Sequence, residues 1–164
     1  MPSPVEVMRV PDEPDVLEVY RGIIYDRLSS KILFVQRSSE DTHRPGEFEF
    51  PGGKIDKDEK PIGVLTREVK EETGLIIAPL VQESVEASEI YVEKMLIEKG
   101  RHKGKLHIGH FILSRVVGGS LELSSEHDDA IWTEITMPPT FGPITPDSEE
   151  AYRQFRMRWG FLGN

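Results

Sequence analysis

Glu68, Glu71 and Glu72 stand close enough along the chain to share one face of a helix. At about 100° per residue their carboxylates fall within an arc of about 100°. Ile62, Leu65 and Val69 fill the adjoining arc, so the acids border the buried stripe instead of lying on the far, solvated side. Like charges at i,i+4 destabilise a helix by roughly 0.2–0.5 kcal/mol per pair, and partial burial raises that cost. A hard divalent cation such as Mg²⁺ or Mn²⁺, which takes oxygen ligands and keeps bound water, would offset the repulsion. Taken alone, the same pattern also suits a solvated helix face neutralised by Arg67 and the neighbouring lysines.

The wider spacing carries a family resemblance. Gly53, five residues, Glu59, seven residues, then Arg67-Glu68-Val69-Lys70-Glu71-Glu72-Thr73-Gly74-Leu75 is identified as a Nudix box with every specified position filled. A chance match of this length is far below ~10⁻⁶ at average residue usage. The preceding Phe48-Glu49-Phe50-Pro51-Gly52-Gly53-Lys54 resembles the MutT type. The resemblance spans Val16 to Trp159 and implies an α/β fold, a Nudix-like α/β/α sandwich with a mixed β-sheet. It also implies metal binding by Glu68 and Glu72, with Glu71 nearby as ligand or base, and a backbone ligand in the carbonyl of Gly52. Arg67 and Glu59 resemble the pair that holds loop and helix in register, and Glu126 an acidic ligand contributed by a later loop. Glu71, Glu68 and Arg67 then form the catalytic set, and Mg²⁺, with Mn²⁺ as a substitute, is the implied cofactor.

Nudix proteins hydrolyse nucleoside diphosphates linked to another group. The residues suit that chemistry, because metal-neutralised phosphate oxygens admit a nucleophile that the bare polyanion repels. Glu71, or else Glu126, would take the proton of the attacking water, and Arg37 and Lys54 would stabilise charge on the phosphate tail. The MutT-like entry loop points to a (d)NTP pyrophosphohydrolase releasing a nucleoside monophosphate and pyrophosphate. Phe48 stands where such proteins carry an aromatic residue near the base. Phe141 departs from the pattern: it replaces an expected asparagine and offers no donor–acceptor pair to an oxidised guanine. Tyr91, 16 residues beyond Leu75, has a spacing similar to that of diadenosine polyphosphate hydrolases, the alternative substrate class. The lack of proline between Pro79 and Pro138 disfavours the ADP-ribose subgroup, and Thr42 stands where the coenzyme A subgroup has arginine. A nucleotide-sensing domain without catalysis is the alternative from another class; its mark would be a broken carboxylate set, and here the set is whole.

These residues need a scaffold, and the chain of 164 residues supplies one domain's worth. With 37% hydrophobic and 30% charged residues it can bury a single core. The absence of cysteine excludes disulfides, thiol catalysis and cysteine-held metals. A net charge of −9 argues against general nucleic-acid binding. Six acids face five bases within Gly53–Leu75, so the acidity that matters there is the local cluster on one helix face. No apolar run has the length of a membrane span, and a cytoplasmic domain is expected.

Residues 1–14, with four prolines, read as a flexible arm before a domain at 15–164. Strands are expected at Val16–Tyr25, Lys31–Gln36, Leu75–Val85, Ile90–Ile97, Leu106–Val116 and Ala130–Ile135, with a polar loop over Arg37–Glu49. One helix should run from Pro61 to Thr73 and stop at Gly74. A second should begin at a capping box of Asp147 and Glu150 and carry Tyr152, Phe155 and Trp159 on one face, for the core or a homodimer contact. The tip Lys99–Lys105 reads as a solvated basic turn. His107 and His110 point to opposite strand faces; His127, beside Glu126, is the histidine to test.

Overall fold

Alternation along the central strands divides their apolar residues into two sets, one for each face of a sheet. In the computed structural model, which describes residues 15–56, 58–81, 86–96, 103–135 and 139–163, both sets are buried. The strands are β1 (Val16–Asp26), β2 (Lys31–Arg37), β3 (Phe48–Glu49), β4 (Gly52–Lys54), β5 (Leu75–Pro79), β6 (Glu89–Leu96), β7 (Leu106–Gly119) and β8 (His127–Glu134). Helix α1 (Pro61–Thr73) follows β4 and helix α2 (Pro146–Trp159) follows β8.

Ile23, Ile32, Phe34, Phe111 and Leu113 pack with Tyr152 and Phe155 of α2. The alternate residues Ile24, Leu33, Val35 and Ile112 pack with Leu65 and Val69 of α1. One helix therefore covers each face, and the layers are helix, mixed sheet, helix. Val64 and Glu72 are buried on α1 as well, so its covered stripe is wider than Ile62, Leu65 and Val69 alone.

The sheet is joined at its centre by the parallel pair β1–β7, in register from Val16↔Leu106 to Tyr25↔Arg115. Antiparallel neighbours complete it: β2 and β4 along β1, β3 and β8 along β2, and β5 and β6 along β7. Of the strand expected over Leu75–Val85, β5 covers Leu75–Pro79, Leu80 N–H still donates to Leu113 O at 2.8 Å, and residues 82–85 lie outside the described residues. Phe48 and Glu49, expected in a loop, form the short β3 against Val35 and Gln36. The arm 1–14 and most of the Lys99–Lys105 tip lie outside the described residues. Among those described, no helix is long and apolar enough to cross a membrane.

Both helices open on proline instead of a side-chain cap. Lys60 precedes Pro61 and Thr145 precedes Pro146, and neither makes a capping hydrogen bond. The capping box expected from Asp147 and Glu150 does not form. Pro146 shifts the helix start, Asp147 turns to Arg21, and Glu150 pairs with Arg153 and Gln154. α1 ends at Gly74 in the left-handed region, φ 77°, where its N–H donates to Lys70 O at 2.8 Å.

Gly74 also lies back to back with the end of β7. A Cβ there would stand 2.4 Å from Ser120 O, in addition to the strain of positive φ. Gly74→Ala is expected to lower stability by at least about 2 kcal/mol in urea unfolding, since strain of this kind alone costs roughly 1–3 kcal/mol.

Candidate active site

The loop before α1 and the loop before β8 converge on the C-terminal half of that helix. Glu122 N–H donates to Thr73 O at 2.7 Å and Ser124 N–H to Glu72 O at 3.0 Å, so the chain leaving β7 is tied to the helix end. Ser38 N–H donates to Glu126 O at 3.1 Å, fixing the same loop from β2. Glu126 and His127 are thereby delivered beside Glu72.

On the opposite side the β4 turn closes in. Gly52, at φ 150°, passes so near β1 that a Cβ would stand 2.1 Å from Tyr20 O, and only glycine fits. This approach lets Gly52 N–H donate to Glu72 Oε2 at 2.9 Å. Gly53 lies against Glu68, with its would-be Cβ 3.3 Å from the carboxyl carbon. The contact between the box's first glycine and first helix glutamate is a direct one.

Glu72 is only 5% exposed. Burial pushes its carboxyl up to about 9; Arg21 opposes the rise, while Glu49, Glu126 and Glu68 add to it. Glu68, half-buried, is also raised, first by burial and then by Glu71, Glu126 and Glu59, against the pull of Arg67. These carboxylates therefore raise one another, with Arg21 the opposing charge named at Glu72 and Arg67 at Glu68. Single ligand atoms of Glu72, Glu126 and His127 lie within 4.8 Å of one another. Crowded oxygens with an imidazole nitrogen suit a divalent cation, so the donor set fits the metal that the family implies.

A second layer, missed in the sequence, sits beneath. Glu49 is buried, and its Oε1 lies 3.1 Å from His127 Nε2. Burial pushes the Glu49 carboxyl up, but Arg21, His127 and Arg37 together draw it down to about 2. Arg21 is buried too: its Nη1–H donates to Phe50 O at 3.0 Å and its Nε–H to Asp147 Oδ2 at 3.3 Å, while Nη1 lies 3.4 Å from Glu49 Oε2. His107 Nε2 lies 3.6 Å from the same Asp147 oxygen. A charged residue between two phenylalanines was the available hint at Glu49; its partners lie far away in sequence and no local spacing encodes them.

The other candidate residues are dispersed around this centre. Glu71 stays at the surface, its side chain 58% exposed, with Oε1 3.2 Å from Arg67 Nη1. Arg67 also reaches Glu68 at 3.4 Å and Glu59 at 3.7 Å. Arg37, expected near a phosphate tail, has its donors engaged: Nη1 to Glu49 at 3.1 Å, Nη2 to Asp41 at 2.7 Å and Nε to His43 O at 2.9 Å. Lys54 is exposed on β4. Phe48 is buried against Phe141, with ring centroids 4.6 Å apart, and Phe141 also contacts Phe34 at 5.3 Å. Tyr91 pairs with His110 in the β6–β7 ladder, and its side chain lies outside what the structure describes.

Residues 18–155 match the model of the NUDIX domain, a span that holds the carboxylate helix and both flanking loops. The chain belongs to the NUDIX domain family. An 8-oxo-dGTP diphosphatase of Escherichia coli (strain K12) is 39% identical over 59 residues, covering 36% of this chain and 44% of that protein, less than half its length. An 8-oxo-dGTP diphosphatase of Proteus vulgaris is 26% identical over 106 residues, covering 58% of this NUDIX chain and 93% of that one. A crystal structure of a MutT protein from Methanosarcina mazei Go1 shares the fold at a TM-score of 0.61 and 20% identity, covering 90% of this chain and 97% of its own.

Proposed function

We propose that this NUDIX protein is a divalent-metal-dependent pyrophosphohydrolase acting on nucleoside triphosphates, releasing a nucleoside monophosphate and pyrophosphate. The observation that carries the reading is Glu72: a buried carboxylate pinned by Gly52 N–H and faced by Glu68, Glu126 and His127. The intact box and relatives named as 8-oxo-dGTP diphosphatases support the same class.

Glu68, Glu72 and Glu126 would hold the metal, with the Gly52 carbonyl as a backbone ligand. A bound Mg²⁺ or Mn²⁺ supplies charge neutralisation of the phosphate oxygens and a more acidic water. Water adds to one phosphorus and the bridging P–O bond to the next phosphate breaks. Glu71, the surface carboxylate of the helix, accepts the water's proton, and Arg67 holds it toward the loop through the pairs described above. Arg21 and Arg37 take no phosphate in this reading; they keep Glu49 ionised beneath the site. Lys54, exposed on β4, meets the phosphate tail in this reading. Phe48 supports Phe141 from behind, so an aromatic wall takes the place of an asparagine at the base.

That wall favours stacking over hydrogen-bonded readout of one base. Across a panel of canonical (d)NTPs, 8-oxo-dGTP, diadenosine polyphosphates and nucleotide sugars with Mg²⁺, triphosphates are expected to turn over fastest. The advantage of 8-oxo-dGTP over dGTP is expected to stay below about tenfold, since no paired donor and acceptor stands at Phe141. Faster turnover of diadenosine polyphosphates would move the substrate assignment to that class, and tight binding without turnover would leave a sensing domain.

A further inference from the structure

One atom of this centre has no role in the reading above. The His127 side chain is 2% exposed. Its Nε2 faces Glu49 Oε1 at 3.1 Å, and Glu49, whose other oxygen lies 3.4 Å from Arg21 Nη1 and 3.1 Å from Arg37 Nη1, is paired with two guanidiniums and serves as an acceptor. Nε2 therefore carries the ring hydrogen. Nδ1 is left as a bare lone pair, buried and without a hydrogen-bond partner among the described residues.

That lone pair is aimed at the carboxylates. Nδ1 lies 4.0 Å from Glu72 Oε1, too far for a shared proton and within the span of two ligands at about 2.0–2.2 Å from one ion. Glu72 is itself oriented, because its other oxygen accepts from Gly52 N–H. A ligating histidine commonly donates its second ring N–H to a carboxylate, which fixes the tautomer and the ring. Glu49 stands in that position. The ring also has a fixed backbone, with His127 N–H donating to Ser124 O at 3.3 Å.

We propose that His127 Nδ1 is a ligand of the divalent centre beside Glu72 and Glu126, giving a mixed nitrogen–oxygen site that prefers Co²⁺ to Mg²⁺. The inference rests on the reading of this cluster as the metal centre. Its physical basis is ligand preference: carboxylate and water suit Mg²⁺, whereas imidazole strengthens binding of the later first-row metals.

Isothermal titration of the metal-freed full chain with Co²⁺ and with Mg²⁺ tests it on wild type, His127→Gln and Glu72→Gln. His127→Gln is expected to weaken Co²⁺ binding by about 10–100-fold and Mg²⁺ binding by less than about threefold. Near-ultraviolet circular dichroism checks that each variant keeps its packing. Pulsed electron paramagnetic resonance of wild type loaded with Mn²⁺ needs no variant and should show nitrogen coupling from a directly bound imidazole. Equal weakening of both metals, no weakening of Co²⁺, or no nitrogen coupling overturns the proposal. If Glu72→Gln loses both metals while His127→Gln keeps Co²⁺, the histidine fails as a ligand and the carboxylate centre stands. If wild type binds neither metal, the reading of the centre itself fails.

Discussion

Glu72→Gln should abolish turnover while making the metal-free protein more stable at alkaline pH. The amide keeps an acceptor for Gly52 N–H and the volume of the side chain, so the loop–helix contact survives. The anionic ligand is gone, and a loss of at least roughly 10³-fold in kcat is expected from removing charge aimed at the reacting group. The stability effect follows from linkage. Burial holds the Glu72 carboxyl at about 9, above its usual 4.5, so the folded chain keeps a proton that the unfolded chain releases. The stabilisation this gives is complete below pH 4.5 and is lost as pH rises toward 9. Glutamine does not ionise and removes that slope. Melting in the presence of a chelator at pH 5 and pH 8 should show little difference at pH 5 and a variant at or above wild type at pH 8. A variant that melts below wild type by the same margin at both would remove the account of Glu72.

Arg21→Met should be the most destabilising single change near the site. It strips Glu49 and Asp147 of their buried counter-charge and leaves Phe50 O without its donor. Breaking a buried pair by removing one partner costs roughly 3–5 kcal/mol, because the charge left behind is uncompensated. The pH dependence has the opposite sense to that of Glu72. Burial raises the Glu49 carboxyl, but Arg21 leads the groups that draw it down to about 2 from the usual 4.5. The stability this lends is present above pH 4.5 and is lost as pH falls toward 2. Arg21→Met should therefore differ from wild type most at neutral pH and less near pH 3. Chemical unfolding at the two pH values checks this. A uniform penalty would mean that Arg21 acts by packing and not by charge.

Local signals and tertiary ones contributed differently to what could be read beforehand. Pro61 and Gly74 bracket α1 because each acts on its own backbone, through a fixed φ and through positive φ. The alternation that buries Ile23 and Ile24 on opposite faces is also local and appears directly in the run of residues. Asp147 shows where local reading stops. Its spacing to Glu150 suits a capping box, yet Pro146 displaces the helix start and Arg21 claims the carboxylate from 126 residues away. Glu49 and His127, 78 residues apart, meet only because β2 pairs with both β3 and β8. Spacing along one helix can reveal Glu68, Glu71 and Glu72; the groups that set their charge come from other strands and have no spacing to reveal them.

The most direct measurement is product analysis of a nucleoside triphosphate incubated with the wild-type chain, with Mg²⁺ in one arm and excess chelator in the other. Nucleoside monophosphate and pyrophosphate in equal amounts are expected with Mg²⁺, falling to background with chelator and returning when Mg²⁺ or Mn²⁺ is restored. Equal turnover in both arms, or none with any nucleotide in either arm, would contradict the reading of Glu68, Glu72 and Glu126 as a metal-dependent pyrophosphohydrolase centre.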